Sequence, residues 1–259
     1  MTPTTTPDTD PVAEPDAALP PNVLADYQRD GYVVLPGLIS PETVVSLRAE
    51  VMHIMDVIGL GTTKLKQSSE YLAGGALDAF VNSPNLRQIA GALLGGEATL
   101  YLPFTAVKSG GGGGRFHFHQ DNQYTRFDRP GINLWFALAP MMPENGCLQV
   151  VPRSHLNGTL PSFSPENDGH KAVTFEPNEF VPVKMQPGDC VAFSRLTVHG
   201  SGENRTNEAR VAYAVQFARE DVNYSTDQGA TWGSLREKPR WSTGPVAQIS
   251  VPKDKLDGH

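Results

Sequence analysis

The 259-residue chain has only two cysteines, Cys147 and Cys190, and nothing around them points to an oxidising compartment, so reduced, buried thiols are expected rather than a disulfide framework. No run of 18 or more apolar residues is present, so no membrane-spanning helix is expected. The N-terminus lacks the basic region and apolar core of a secretion signal. The expected location is the cytoplasm, with no membrane partner. Basic stripes interleaved with aromatics are also missing, which argues against a nucleic-acid partner. The acidic excess sits at one end. Net charge is −7, but residues 1–20 hold Asp8, Asp10, Glu14 and Asp16 and no base, leaving 24 acids against 21 bases elsewhere.

Residues 1–22, rich in Thr, Pro and Asp and without an aromatic, cannot bury enough apolar surface to offset the entropy of ordering, so a disordered tail is expected. Residues 23–259 are expected to form one domain. A helix over Val23–Asp30 should lead into a strand in GYVVLPGLI. Ser40 and Pro41 then mark a helix start, and Val44, Leu47, Val51, Ile54, Met55 and Ile58 recur at helical spacing. Pro84–Leu94, closed by Gly95, reads as a further helix. From Thr99 the pattern changes to short β-rich runs at 99–107, 115–121, 132–139, 147–151, 180–185, 189–194 and 210–218. Strands of this kind after helices predict a mainly β fold, an antiparallel sandwich or barrel with helices against one face. Residues 220–259, with Trp232 and Trp241, have little periodicity and read as a cover over the barrel mouth or a surface tail.

The chemistry concentrates in RFHFHQDNQY, residues 115–124, after five glycines, Gly110–Gly114. If this segment is a regular strand, His117, His119 and Asp121 share one face. Three metal-compatible groups are then available, and spacing alone leaves open which of them bind. A third ligand from elsewhere is needed. His155 in VPRSHLNG reads as a loop residue, whereas His199 ends a strand and is followed by a turn that returns Arg210 to its neighbourhood. The glycine run has no following helix and no Gly-Lys-Ser/Thr ending, which argues against a phosphate-binding loop.

Several blocks in order, GYVVLPGLIS, AVKSGGGGGRFHFHQDNQY, INLWFALAPMMPENGCLQVVPRSH, PGDCVAFSRLTVHGSGENRTNEAR and YAVQFA, resemble the phytanoyl-CoA dioxygenase-like family of Fe(II)- and 2-oxoglutarate-dependent oxygenases over roughly residues 25–220. The resemblance implies a double-stranded β-helix core, a cupin-like jelly roll. It places the metal on His119, Asp121 and His199 and leaves His117 as a neighbour. It assigns Arg210, eleven residues after His199, to the distal carboxylate of 2-oxoglutarate, with Ser201, Trp135 and Lys108 at further co-substrate positions. The cofactors implied are Fe(II), 2-oxoglutarate and O2. The reaction implied is oxidation of an unactivated C–H bond of a small molecule, with succinate and CO2 as co-products. Related halogenating enzymes replace the carboxylate ligand by a small residue, and Asp121 therefore favours hydroxylation. The chain has no cluster of Lys or Arg to receive coenzyme A phosphates, so a small metabolite is expected. Candidate substrate contacts are Thr105, His117, Tyr124, Arg126, Asn133 and Trp232.

Three other readings share parts of this pattern: a cupin-like metalloenzyme that does not use 2-oxoglutarate, a zinc hydrolase with the same three ligands, and a non-catalytic binding protein on the same fold. Arg210 at its spacing argues against the first, and retention of all ligands together argues against the last.

Overall fold

The computed structural model describes residues 19–58, 65–165, 170–237 and 245–249. Residues 1–18 of the expected tail, and 238–244 and 250–259 of the expected cover, with Trp241, lie outside the described residues.

The N-terminal part is built as its caps and periodicity suggest. Helix α1 (Val23–Asp30) ends at Gly31, which has φ 81°, and strand β1 (Tyr32–Leu35) follows. Only glycine fits at Gly31, because a Cβ would lie 2.4 Å from the His155 ring. In helix α2 (Pro41–Ile58) the Thr43 N–H donates to Ser40 Oγ at 3.2 Å, and all six residues of the apolar stripe are buried. Strand β2 (Leu65–Ser68) and helix α3 (Ala76–Val81) carry no clear sequence signal; α3 has six residues and no side-chain cap. Helix α4 (Pro84–Leu94) is capped by Ser83, whose hydroxyl accepts from the Leu86 N–H, and closes at Gly95 with φ 69°.

The β region comprises β3 (Ala98–Lys108), β4 (Phe116–His119), β5 (Arg126–Phe127), β6 (Gly131–Ala137), β7 (Leu148–Val150), β8 (Ser162–Phe163) and β9 (Ala172–Val173). It continues with β10 (Val181–Pro182), β11 (Cys190–Ser194), β12 (His199–Ser201), β13 (Arg210–Arg219), β14 (Asn223–Ser225) and β15 (Gly233–Ser234). A six-stranded antiparallel sheet has the order β1-β11-β6-β13-β3-β2, and a four-stranded sheet has the order β10-β7-β12-β4. Small sheets β15-β14-β5 and β8-β9 flank them. The expected strand at 180–185 is reduced to Val181–Pro182, and the one at 115–121 stops at His119.

Both faces of the large sheet are covered, and period-two alternation decides what each face holds. Ile132, Leu134 and Phe136 of β6 and Tyr213, Val215 and Phe217 of β13 pack with Leu47, Leu77, Phe80 and Leu86 of the helices. Phe80 meets Phe136 edge to face at 4.9 Å. The opposite face presents Trp135 and Ala137 of β6 and Ala212 and Ala214 of β13 to Leu148 and Val150 of the small sheet. This second layer is the interior of a jelly roll, and Asn133, Arg210 and Gln216 share its face by the same alternation. No helix among the described residues is long and apolar enough to cross a membrane.

Candidate metal centre

Strands β4 and β12 pair so that His119 is opposite His199, but Ser201 is opposite Phe116. Three steps along β4 therefore match two along β12, and this bulge breaks the alternation on which the H-x-H reading depended. Phe116 and His119 consequently line the same cavity, with their rings 4.5 Å apart, and His117 is not among its lining residues. The two strands approach closely at Gly200, where a Cβ would come within 2.9 Å of the Phe116 carbonyl oxygen. Asp121 is not in a strand at all. It opens a one-turn 3-10 helix, Asp121–Gln123.

The three groups nevertheless converge. Ligand atoms of His119, Asp121 and His199 all lie within 4.8 Å of one another, and all three residues are buried. Asp121 Oδ1 is 4.0 Å from His119 Nε2 and 3.8 Å from His199 Nε2. Each histidine commits its other nitrogen to the backbone: His119 Nδ1–H donates to the His117 carbonyl at 2.8 Å, and His199 Nδ1–H donates to the Thr197 carbonyl at 2.9 Å. That tautomer leaves both Nε2 lone pairs facing the carboxylate. Burial, and then the neighbouring His199, push the pKa of His119 well below the usual histidine range, which keeps its ring neutral and able to donate a lone pair. Asp121 Oδ2 is held by amide donors, Gln216 Nε2 at 3.1 Å and Asn133 Nδ2 at 3.4 Å, so Oδ1 is the atom left open. Two neutral imidazoles and one monodentate carboxylate suit a divalent transition metal and leave coordination positions for other groups.

The centre opens on a cavity of about 550 Å³. Trp135 and Ser201 line it, as do Tyr124 and Asn133 from the candidate substrate contacts. Arg210 lies behind the wall, its guanidinium 5.4 Å from the Trp135 ring centroid. It is 1 % exposed, donates to the Gly146 and Ala106 carbonyls at 3.4 and 3.3 Å, and leaves Nε without a partner among the described residues. Lys108 is its direct cross-strand partner, fully buried, with Nζ donating to the Gly202 carbonyl. Burial and the adjacent Arg210 charge push the Lys108 amine down to about 6. Among the described residues neither side chain is in an ion pair with a carboxylate.

Other candidates sit elsewhere. Thr105 is on the helix-facing side of β3, where Ser68 N–H donates to its hydroxyl at 3.0 Å. Arg126 and Trp232 lie outside the cavity lining, close to Gly229, and the Trp232 indole N–H donates to the Gly229 carbonyl at 3.1 Å. His155 bonds the Gln28 carbonyl through Nε2 and serves the end of α1. Conversely, Gln216, Arg195 and Phe116 face the centre although sequence reasoning did not single them out. Gln216 was accessible from alternation, six residues beyond Arg210 on β13. Arg195 carried no pattern.

The sequence matches the phytanoyl-CoA dioxygenase (PhyH) family over residues 27–212. The chain belongs to that family. Within the phytanoyl-CoA dioxygenase family and around it, the multifunctional dioxygenase prhA of Penicillium brasilianum is 29 % identical over 234 residues, 80 % of this chain and 75 % of that protein. The human peroxisomal phytanoyl-CoA dioxygenase is 32 % identical over 134 residues, 48 % of this chain and 39 % of that protein. A methylphosphonate hydroxylase of Gimesia maris is 29 % identical over 199 residues, 71 % of this chain and 75 % of that protein. Among solved structures, the epimerase SnoN, in complex with Fe3+, alpha ketoglutarate and nogalamycin RO, superposes with TM-score 0.65 at 23 % identity, covering 80 % of this chain and 86 % of SnoN. EvdO2 of Micromonospora carbonacea var. aurantiaca, complexed with 2-oxoglutarate, superposes with TM-score 0.66 at 22 % identity, covering 77 % and 91 %. The jelly-roll core expected from the phytanoyl-CoA dioxygenase resemblance is thus the fold of this chain, and its enzyme class is dioxygenase.

Proposed function

We propose that His119, Asp121 and His199 hold the Fe(II) of this 2-oxoglutarate-dependent dioxygenase, and that Arg210 and Lys108 receive the distal carboxylate of 2-oxoglutarate, with Ser201 and Trp135 alongside. One observation carries the reading. Two Nε2 atoms and one Oδ1, with their companion atoms already committed, converge on a cavity backed by a buried guanidinium and a buried amine that lack a carboxylate partner among the described residues. The arginine hydrogen bonds of 3.3 and 3.4 Å are at the long end for N–H···O, and Nε is idle, so an incoming carboxylate replaces weak contacts with a charge-assisted pair. The buried Trp135 Nε1–H also lacks a partner among the described residues and supplies a further donor. Iron, Asp121 and 2-oxoglutarate together carry one net negative charge, which Arg210 offsets.

Bound there, the metal and co-substrate supply O2-dependent oxidation of a C–H bond, coupled to decarboxylation of 2-oxoglutarate to succinate and CO2. The chain itself positions the target. Phe104, Phe116, Tyr101 and Tyr124 surround the cavity and limit water, and the Tyr124 hydroxyl accepts from the Lys171 N–H at 2.8 Å. The substrate is a small molecule, uncharged where it meets this wall. Among the described lining residues the one permanent cation is Arg195, whose guanidinium is spent on Gln216 and on the carbonyls of Asp121 and Thr125. A coenzyme A thioester would find no phosphate-binding cations there. Residues 23–259 act as one oxygenase domain on this reading. The β14–β15 hairpin is part of its cover, packed through β14 on β5 and through the Gln228 amide on the Gln123 carbonyl. The cytoplasm is the location on this reading, with Cys147 and Cys190 as buried thiols.

Anaerobic addition of Fe(II) and then 2-oxoglutarate tests the centre, with the expected result a weak visible charge-transfer band that is lost in His199→Ala. A folded, iron-loaded protein with no band refutes the co-substrate assignment. Succinate release stimulated by an acyl-CoA thioester refutes the uncharged-substrate assignment.

A further inference from the structure

Two of the three proposed ligands are fixed by backbone pairing, since His119 and His199 face each other across β4 and β12. Asp121 has no such support, because it lies in a single 3-10 turn beyond the end of β4. We infer that Gln216, assisted by Asn133, is the positioning residue for the Asp121 carboxylate: it holds Oδ2 so that Oδ1 alone faces the histidines, and it keeps Arg195 off the carboxylate. The inference rests on the reading of His119, Asp121 and His199 as the metal site.

Arg195 is the reason a spacer is needed. Its guanidinium is buried against the rings of Phe127 at 4.3 Å and Tyr101 at 5.0 Å, which meet each other edge to face at 4.9 Å, and Nη2 donates to the Asp121 and Thr125 backbone carbonyls at 3.0 Å each. A guanidinium this close to an aspartate ordinarily takes both carboxylate oxygens in a fork, which would cap the ligand atom the metal needs. Here Gln216 stands between them. Its carbonyl accepts from Arg195 Nη1, and its Nε2 donates to Asp121 Oδ2 at 3.1 Å. The amide orientation is dictated, because the guanidinium is donor-only and the ionised carboxylate acceptor-only. Gln216 and Asn133 are direct cross-strand partners on β13 and β6, buried to 4 % and 1 % exposure, so both amides approach Oδ2 from one side. The positive charge of Arg195 thus reaches Asp121 through a neutral group that occupies one oxygen and leaves the other.

Gln216→Met keeps chain length and removes both hydrogen bonds. The full-length metal-free protein is titrated anaerobically with Co(II) and Fe(II), following the Co(II) ligand-field spectrum and the Kd. Wild type and His199→Ala are titrated alongside, and the metal-free melting temperature is measured as the structural control. The expected result is metal binding weaker by about 10- to 100-fold, with an altered Co(II) spectrum as Asp121 changes its grip. A folded variant with lowered melting temperature but unchanged Kd and spectrum shows a structural role only and overturns the inference. Should Gln216→Met not fold, Gln216→Glu retains the acceptor for Arg195 and, once ionised, lacks the donor to Oδ2; a spectrum and Kd that stay unchanged as the pH is raised to about 8.5 or above overturn the inference equally. If wild type fails to bind, or His199→Ala binds normally, the metal-site reading fails and the inference falls with it.

Discussion

Gly200→Ala is a one-carbon change whose effect follows from backbone geometry. Gly200 lies between His199 and Ser201, where β12 passes the bulged part of β4. A Cβ built on it stands 2.9 Å from the Phe116 carbonyl oxygen, 3.2 Å from the Phe118 nitrogen and 3.3 Å from the His117 carbonyl carbon. Favourable carbon contacts begin near ~3.5 Å, so the worst overlap is about half an ångström. All three obstacles are main-chain atoms of a hydrogen-bonded strand, and no side-chain rotation relieves them. The strands must separate, and the cost expected for overpacking of this kind is about 1–3 kcal/mol. For a domain of this size that lowers the melting temperature by roughly 2–12 °C. Separation also moves His199 from His119, whose rings are 4.2 Å apart, so metal affinity should fall by at least ~10-fold. Denaturant unfolding of the metal-free protein and anaerobic Fe(II) titration measure the two effects separately. An alanine variant with unchanged stability and unchanged metal affinity would refute the close-approach argument.

Other expectations bear on single residues. His119→Ala or Asp121→Ala should abolish Fe(II) binding and His117→Ala should keep it, and iron content by metal analysis that shows the reverse contradicts the bulged register. Arg210→Ala should raise the 2-oxoglutarate Kd by about 10- to 150-fold, equivalent to roughly 1.5–3 kcal/mol, with iron affinity retained; calorimetry showing equal 2-oxoglutarate affinity removes Arg210 from that role. Lys108, neutral in the free enzyme above about pH 6, should take up a proton as the distal carboxylate arrives. Binding then weakens by up to about tenfold per pH unit above that value and loses the dependence below it, where the amine is already charged. Calorimetry in buffers of different ionisation enthalpy reads the proton directly, and zero uptake near pH 8 refutes the coupling.

The helices and long strands were legible because caps, helical spacing and alternation are local properties, as Ser40 with Pro41 and the β13 run illustrate. The proposed metal ligands were legible only through the family resemblance. Strict alternation would have grouped His117 with His119, and the bulge that separates them depends on what β12 places opposite, at Gly200 and Ser201. Asn133 was singled out as a substrate contact, yet its amide donates to Asp121 Oδ2. Thr105 was placed at the substrate, but its β3 position turns it to the helix layer, one residue out of phase with Phe104. Arg195 was invisible because a buried arginine has no sequence period. Its burial follows from partners at positions 101, 121, 125, 127 and 216 that come together only in the fold.

The unequal anchoring of the three proposed ligand residues bears on how fast metal is exchanged. Releasing either histidine requires parting β4 from β12, which is coupled to the jelly roll as a whole. Releasing Asp121 requires that one short turn open, breaking its Asn122 N–H bond to the Arg195 carbonyl and several side-chain hydrogen bonds but no strand pairing, an event of the local, sub-global kind. If these residues hold the metal, the lifetime of the loaded centre should be set by opening of residues 121–125 rather than by global unfolding. Chelator-driven loss of iron should accordingly proceed from a protein whose sheets stay protected from hydrogen exchange.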